Sequence, residues 1–466
     1  MKKLLCLSIL MVCIHSCVQA QVPFENNLGW SQVLEKARKE SKLIFLHLEN
    51  NQCSQCNEVA TQGFSSTMMK EKFSVNFVCL RLNTETPAGK ELAAKYEFKG
   101  FAASLFLDEE GNILHRYNAT TSAFMKYMEL ADEALSKRHE KPMRFYEDEF
   151  KQGNRAPEFL EAYILKRKSS DLNVQELLET YADVFPVDSL TNFRIAKFIY
   201  LQGPTLDNRA YKAVRAAASQ RLIDSIYRSM PVSQAVAMNS RIINASLQKA
   251  IEKKDILLMH QTASFARSTY RNDPKRGQDA YVQNYLKYYF AVKDAQNYFL
   301  FASLYYDERN MRISVDSLKR LDQQARQTQI KMRNEGNRNT SSAAGLGNLS
   351  RETVAFAPPS QHYHIELNQA AMNYWELATQ IYDLGKALTW SKRAMELYEE
   401  LNKDHPIPMS KGNPYYMDTY ARLLYKLNRR EEAIEWQTKA IDAQKITGKS
   451  TRTFEETLEK IKEGKL

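Results

Sequence analysis

Between residues 24 and 140 the apolar positions switch between two kinds of spacing. Trp30, Val33, Leu34 and Ala37 recur every three or four residues and predict a helix ending near Ser41. Leu43 to Leu48 (LIFLHL) is a compact apolar run that predicts a strand. A helix is expected from Cys53, because Ser54 to Ala60 contains no breaker, and Gly63 is expected to end it. Ser65-Ser66 are placed to cap a short helix through Phe73. Asn76 to Leu82 (NFVCLRL) reads as a second strand and Ala88 to Tyr96 as a helix. Ser104 to Asp108 and Ile113 to Tyr117 read as a third and fourth strand joined across Glu110-Gly111-Asn112. Thr121 to Lys137 closes the segment as a helix.

From Lys141-Pro142 the pattern is helical almost throughout. Predicted helices include Pro157 to Lys168, Val174 to Phe185, Leu190 to Leu201, Arg209 to Ser229, Ser240 to Lys253 and Asp255 to Tyr270. Pro186, Gly203-Pro204, Pro231 and Pro274 punctuate them. Tyr281, Tyr285, Tyr288, Phe290, Tyr298, Phe301 and Tyr305 form an aromatic stretch that is expected to be core between stacked helices. Residues 334–360 are polar, small and end in Pro358-Pro359, so a flexible linker or loop is expected there. Two helical pairs follow within 361–446: Ile365 to Tyr382 with Lys386 to Leu401, and Tyr415 to Lys426 with Glu431 to Gln444. Both resemble tetratricopeptide repeats. The second pair carries Ala421, Ala433 and Ala440 at positions where helices cross closely, and the first has Gly385-Lys386-Ala387 at its turn and Ala394 beyond. Trp375 stands where a small residue is usual. The resemblance implies a face that binds peptides or proteins. Residues 447–466 are expected to be a tail or last helix.

Residues 1–20 change the compartment. Lys2 and Lys3 precede an apolar run from Leu4 to Ile14, and Val18-Gln19-Ala20 is an acceptable cleavage site, the order of a secretory signal peptide. Lipid attachment at Cys17 is the alternative. No later run is long and apolar enough to span a membrane, so no integral membrane segment is expected after signal removal, and the periplasm of a Gram-negative bacterium is the expected location. Among the 466 residues only 15 are Gly and 13 Pro, which favours helix over an all-β architecture. Charge divides unevenly: residues 21–140 carry 14 Lys+Arg against 16 Asp+Glu, and residues 141–466 carry 49 against 39. A basic helical part raises nucleic acid as a partner. Export and the interleaving of acids, as in Arg429-Arg430-Glu431-Glu432, argue instead for a solvated helical surface, and no nucleic-acid partner is expected.

Removing the signal leaves Cys53, Cys56 and Cys79. In an exported chain the spacing Cys53-Ser54-Gln55-Cys56 points to one local, redox-active disulfide. A cysteine at a helix N-terminus faces free backbone N–H groups that favour its thiolate. Cys53 is therefore assigned as the nucleophile that forms a mixed disulfide, and Cys56, one turn on, as the thiol that resolves it. A passive disulfide, two packed thiols or a thiolate metal site are the other readings of the same spacing. Cys79, inside an apolar strand, reads as core.

The strand LIFLHL, then C-S-Q-C, then F-V-C-L-R-L, then G-F-A-A-S-L-F-L-D-E-E-G-N together resemble the thioredoxin family over about a quarter of the chain. The resemblance implies an α/β thioredoxin-like domain at 24–140, followed by the all-α region at 141–333 and the repeats. It also implies thiol–disulfide exchange at Cys53 and Cys56 with protein clients, without a cofactor. Three features depart from the family pattern. Gln52 replaces an aromatic residue, Ser54-Gln55 contain neither His nor Pro, and Ala102 stands where a cis-proline usually faces the cysteines. His47, six residues before Cys53, stands where the family carries a buried acid; it is placed to accept a proton, or it fills space in a buried strand. His362 and His364 form a lone HxH pair, read as solvent-exposed polarity. The expected function is an exported thiol–disulfide oxidoreductase with a helical partner-binding part. The alternatives are a non-catalytic thioredoxin-fold adaptor and a carrier that binds metal through the two thiolates.

Overall fold

The computed structural model describes residues 21–25, 27–51, 53–98, 100–340, 358–407 and 409–466. The proposed signal peptide, Cys17 and Gln52 lie outside them. The described residues fall into two compact units, divided between Met238 and Asn239.

The first unit opens with α1 (Trp30–Glu40), β1 (Leu43–Glu49), α2 (Ser54–Phe64), α3 (Thr67–Asn76), β2 (Phe77–Asn83), α4 (Pro87–Lys95), β3 (Ala102–Leu107), β4 (Ile113–Tyr117) and α5 (Phe124–Ser136). The strands form one mixed sheet in the order β2-β1-β3-β4. β1 runs parallel to β2 and antiparallel to β3, and β3 pairs antiparallel with β4. The central strands β1 and β3 are buried along almost their whole length, which is why their sequences are apolar runs rather than alternations. Leu43, Phe45, Phe77, Cys79 and Phe106 face α2, α3 and α5, packing with Ala60, Phe64, Phe73 and Tyr127. Ile44, Leu46, Leu48, Val78 and Leu105 pack on the other side with Val33 and Ala37 of α1 and Leu92 of α4. Every element expected in 24–140 is present, with ends shifted by a few residues.

Gly89 fixes the packing of α4 on the end of β2. A Cβ there would lie 1.9 Å from the Asn83 carbonyl oxygen and 2.9 Å from the Thr84 Cα. The same Asn83 oxygen accepts from the hydroxyl of Thr86, which caps α4 by accepting from the Gly89 N–H. Backbone cannot yield as a long side chain does, so Gly89→Ala is expected to destabilise the first unit by about 3 kcal/mol, at the upper end of ordinary overpacking. A guanidinium titration checks this, and a loss below about 0.5 kcal/mol would show that α4 is free to shift.

The unit continues through α6 (Met143–Lys151), α7 (Pro157–Ser169), α8 (Gln175–Asp183), α9 (Phe193–Leu201), α10 (Arg209–Ala217), α11 (Gln220–Arg228) and the start of α12 (Val232–Lys253). These helices are tied to the sheet region. Arg167 pairs with Glu97 at 2.8 Å, Lys166 with Glu140 at 3.0 Å, and Leu172 packs against the α1/α4 side of the core. Two expected helices are broken. Leu190 to Leu201 becomes a short tight turn at Val187–Thr191 and then α9, because Asn192 is extended and its side chain caps the Arg194 N–H at 2.9 Å. Arg209 to Ser229 divides after Ala217, where Ala218 is extended and Ser219 caps the Leu222 N–H.

The second unit contains the rest of α12 and then α13 (Ile256–Ser268), α14 (Pro274–Ala291), α15 (Ala295–Arg309), α16 (Val315–Thr340), α17 (Pro359–Leu377), α18 (Ile381–Asn402), α19 (Pro414–Lys426), α20 (Arg430–Ile446) and α21 (Arg452–Glu463). The expected linker at 334–360 is helical at both ends, since α16 runs to Thr340 and α17 begins at Pro359; residues 341–357 lie outside the described residues. The aromatic stretch is core, as its spacing predicts: Tyr285, Tyr289 and Phe301 are packed ring on ring, and Tyr298, Tyr305 and Tyr306 are buried. α17 with α18, and α19 with α20, pack as consecutive pairs. Ala387, Ala394, Ala421, Ala433 and Ala440 are fully buried in them. No described helix is long and apolar enough to cross a membrane.

Candidate active site

Cys53 and Cys56 are joined as a disulfide with their Cα atoms 5.2 Å apart. Cys53 is the residue that caps α2, and its sulfur accepts from the backbone N–H of Cys56 at 3.2 Å. The cysteines sit here because β1 ends at Glu49, four residues before the cap, and the chain turns directly into the helix. Both are partly buried.

His47 lies on the face of β1 that α2 covers, and it is fully buried. Its ring stands edge-on to Phe64 of α2, with centroids 5.0 Å apart. Nδ1 is 3.0 Å from the Ser104 hydroxyl on β3. Nε2 has no hydrogen-bond partner among the described residues and lies 3.7 Å from a Glu49 oxygen. That carboxylate is already held by Arg81 of β2, which donates from Nε at 3.0 Å and from a terminal nitrogen at 2.6 Å. Burial, and secondarily the Arg81 charge, hold His47 down at about 3, so the imidazole is neutral at physiological pH. Burial also raises the Tyr127 phenol to about 12. The Cys79 thiol is buried, and desolvation pushes it well above the usual cysteine range, which keeps it protonated and inert.

Ala102 is the first residue of β3, paired with Glu49. The turn before it contains Gly100, with φ of +109°, and Phe101, which is half exposed. The Asn50 N–H donates to the Phe101 carbonyl and its Nδ2 donates to the Gly100 carbonyl, each at 3.0 Å. Asn57, on α2 just after Cys56, donates from Nδ2 to the Asn50 carbonyl at 2.8 Å.

No family profile and no curated protein matches this chain.

The structure thus brings Cys53 and Cys56 together as the spacing predicts, and it places His47 beneath their helix. It corrects the reading of His364. That residue is buried, not solvent-exposed, with Nδ1 2.7 Å from the Tyr416 hydroxyl and its ring edge-on to Tyr398. Burial, then the neighbouring His362, lower it to about 4. It lies on the inward face of α17, so sequence neighbours alone misassigned it. Among the described residues no three His, Cys, Asp or Glu side chains gather to hold a metal. Sequence reasoning missed Asn50, Asn57 and the Glu49–Arg81 pair. Asparagines near a strand end read as turn formers. The ion pair had a signal, opposite charges on neighbouring strands, that only the strand register exposes.

The second unit carries its own concavity, a cleft of about 420 Å³ between the end of α15 and the start of α18. Met311, Tyr382 and Trp390 line it, and Lys386 pairs with Asp307 at 2.8 Å across it.

Proposed function

We propose that this chain is an exported thiol–disulfide oxidoreductase of thioredoxin-like fold that exchanges disulfides with protein clients through Cys53 and Cys56. The observation that carries the reading is the local disulfide at the head of α2, whose Cys53 sulfur receives the Cys56 backbone N–H. In the reduced protein that N–H favours a thiolate on Cys53. The thiolate attacks a client disulfide, forms a mixed disulfide and releases one client thiolate. Cys56 then attacks the Cys53 sulfur, releasing the second. Two electrons pass to the client, and the protein is left with the Cys53–Cys56 bond. Run backwards, the same steps oxidise a client dithiol. The order of charge, apolar run and cleavage site in residues 1–20 supports export to a Gram-negative envelope, with Cys17 lipidation as the alternative anchor. The paired helices of 361–446 support a tetratricopeptide-like partner-binding role.

The test is substrate trapping in the envelope of the native host. Cys56→Ser keeps the attacking thiol but cannot resolve the mixed disulfide, so it is expected to accumulate adducts that dissolve on reduction and vanish in Cys53→Ser/Cys56→Ser. A folded, exported Cys56→Ser protein with no adducts would sink the enzyme reading. The cleft of the second unit, beside the exposed Ile381 and Tyr382, favours a second reading, an adaptor that binds a partner without chemistry. That reading requires Cys53→Ser to keep full function in the host.

A further inference from the structure

Residue 102 is an alanine, so nothing in its own covalent structure restrains the turn that precedes β3. Gly100 in that turn has φ of +109°, a backbone state that leaves the segment free of side-chain restraint. The turn is nevertheless held, and the restraint comes from outside it. The Cys53 carbonyl accepts from the Asn57 N–H at 3.2 Å. The Asn57 side chain donates to the Asn50 carbonyl at 2.8 Å. Asn50 then donates twice, from its backbone to Phe101 and from its side chain to Gly100. This is one unbroken hydrogen-bonded chain from the first cysteine to the turn. Asn50 is itself only 8% exposed, so its bonds are shielded from competing water.

We propose that Asn50 is a positioning residue for disulfide exchange, strapping the Gly100-Phe101 turn to the helix that carries Cys53 and Cys56. The proposal rests on the exchange reading above. The strap fixes where the half-exposed Phe101 ring stands relative to the disulfide. In this proposal an extended client chain whose sulfur reaches Cys53 crosses the turn that the strap holds to the head of α2. A small dithiol needs only the sulfur. Asn50 therefore acts on polypeptide disulfides and not on small thiols.

The experiment compares two rates for wild type, Asn50→Ala and Asn57→Ala. One is the single-turnover transfer of two electrons from the pre-reduced protein to a labelled peptide disulfide. The other is reduction of the Cys53–Cys56 bond by dithiothreitol. Asn50→Ala is expected to slow the peptide reaction about tenfold, the scale of one or two lost positioning bonds, while the dithiothreitol rate changes by less than about twofold. Asn57→Ala cuts the strap from its other end and is expected to act in the same direction, which keeps the test open if one variant folds poorly. A peptide rate unchanged in both variants overturns the positioning role and leaves the exchange reading standing. So does an equal loss of both rates, which marks general damage to the thiol site. If the wild-type protein transfers nothing to the peptide, the exchange reading fails, and this proposal fails with it.

Discussion

Acidification from pH 7 to pH 4 is expected to weaken the folding equilibrium about a hundredfold through His47 and about a hundredfold again through His364. His47 belongs to the first unit and His364 to the second, so both units should lose stability. An unfolded histidine takes up its proton near pH 6.5. Burial holds His47 at about 3 and His364 at about 4 in the fold. Between those limits the unfolded chain binds a proton that the folded chain refuses, so stability rises with pH and falls as acid is added. The window opens near pH 6.5 for both and closes near 4 for His364 and near 3 for His47. The groups that face each ring do not reverse the sign. Glu49, the carboxylate 3.7 Å from His47, is neutralised by Arg81, and His364 faces the uncharged Tyr398 and Tyr416 with His362 adding like charge. Asp108 and Asp279, raised by burial, act in the opposite sense. The clean measurement is therefore a difference. Urea titrations at pH 7 and pH 4, followed by circular dichroism, should show His47→Gln and His364→Gln each losing less stability on acidification than wild type. Equal losses in wild type and variants would mean that neither imidazole is buried neutral.

Phe45→Ala is expected to cost the first unit about 3–5 kcal/mol, the range for deleting a large buried aromatic side chain. Phe45 is fully buried at the middle of β1. Its ring meets Phe73 at 4.9 Å, Phe106 at 5.1 Å, Phe64 at 5.7 Å and Phe24 at 6.0 Å between centroids. Four rings on α2, α3, β3 and the segment before α1 thus converge on one side chain, and no small shift of one element can fill the gap. Phe64 and Ala60 tie α2 to the same cluster, so the platform under the disulfide loosens with it. Phe45→Leu keeps much of the volume and is expected to cost less than half as much. Guanidinium titrations of the two variants decide it. A Phe45→Ala loss below about 1 kcal/mol would show that the cluster collapses into the cavity.

How much of this was legible in the residues depends on the range of the interaction. The four strands, their flanking helices and the local cysteine pair follow from short patterns: apolar runs, 3.6-residue periodicity and two cysteines three apart. Helix ends were legible less well. Ser219 and Asn192 do carry caps, but a capping residue inside an apolar rhythm is indistinguishable from a tolerated polar position until the backbone is seen to turn there. His47 was legible as a strand residue, and its isolation was not, because Arg81 and Ser104 come from other strands.

The amino-acid sequence by itself determined the α/β opening, the predominance of helix beyond residue 141 and the pair of cysteines one helical turn apart, since each is encoded by residues within a few positions of one another. Only the tertiary structure decided which histidine is buried, which charges neutralise one another, and that Asn50 and Asn57 tie the turn before β3 to the disulfide helix. Several of those contacts join residues fifty or more positions apart. Their energies depend on desolvation and hydrogen-bond geometry, which exist only after the strands have registered and the helices have closed over them.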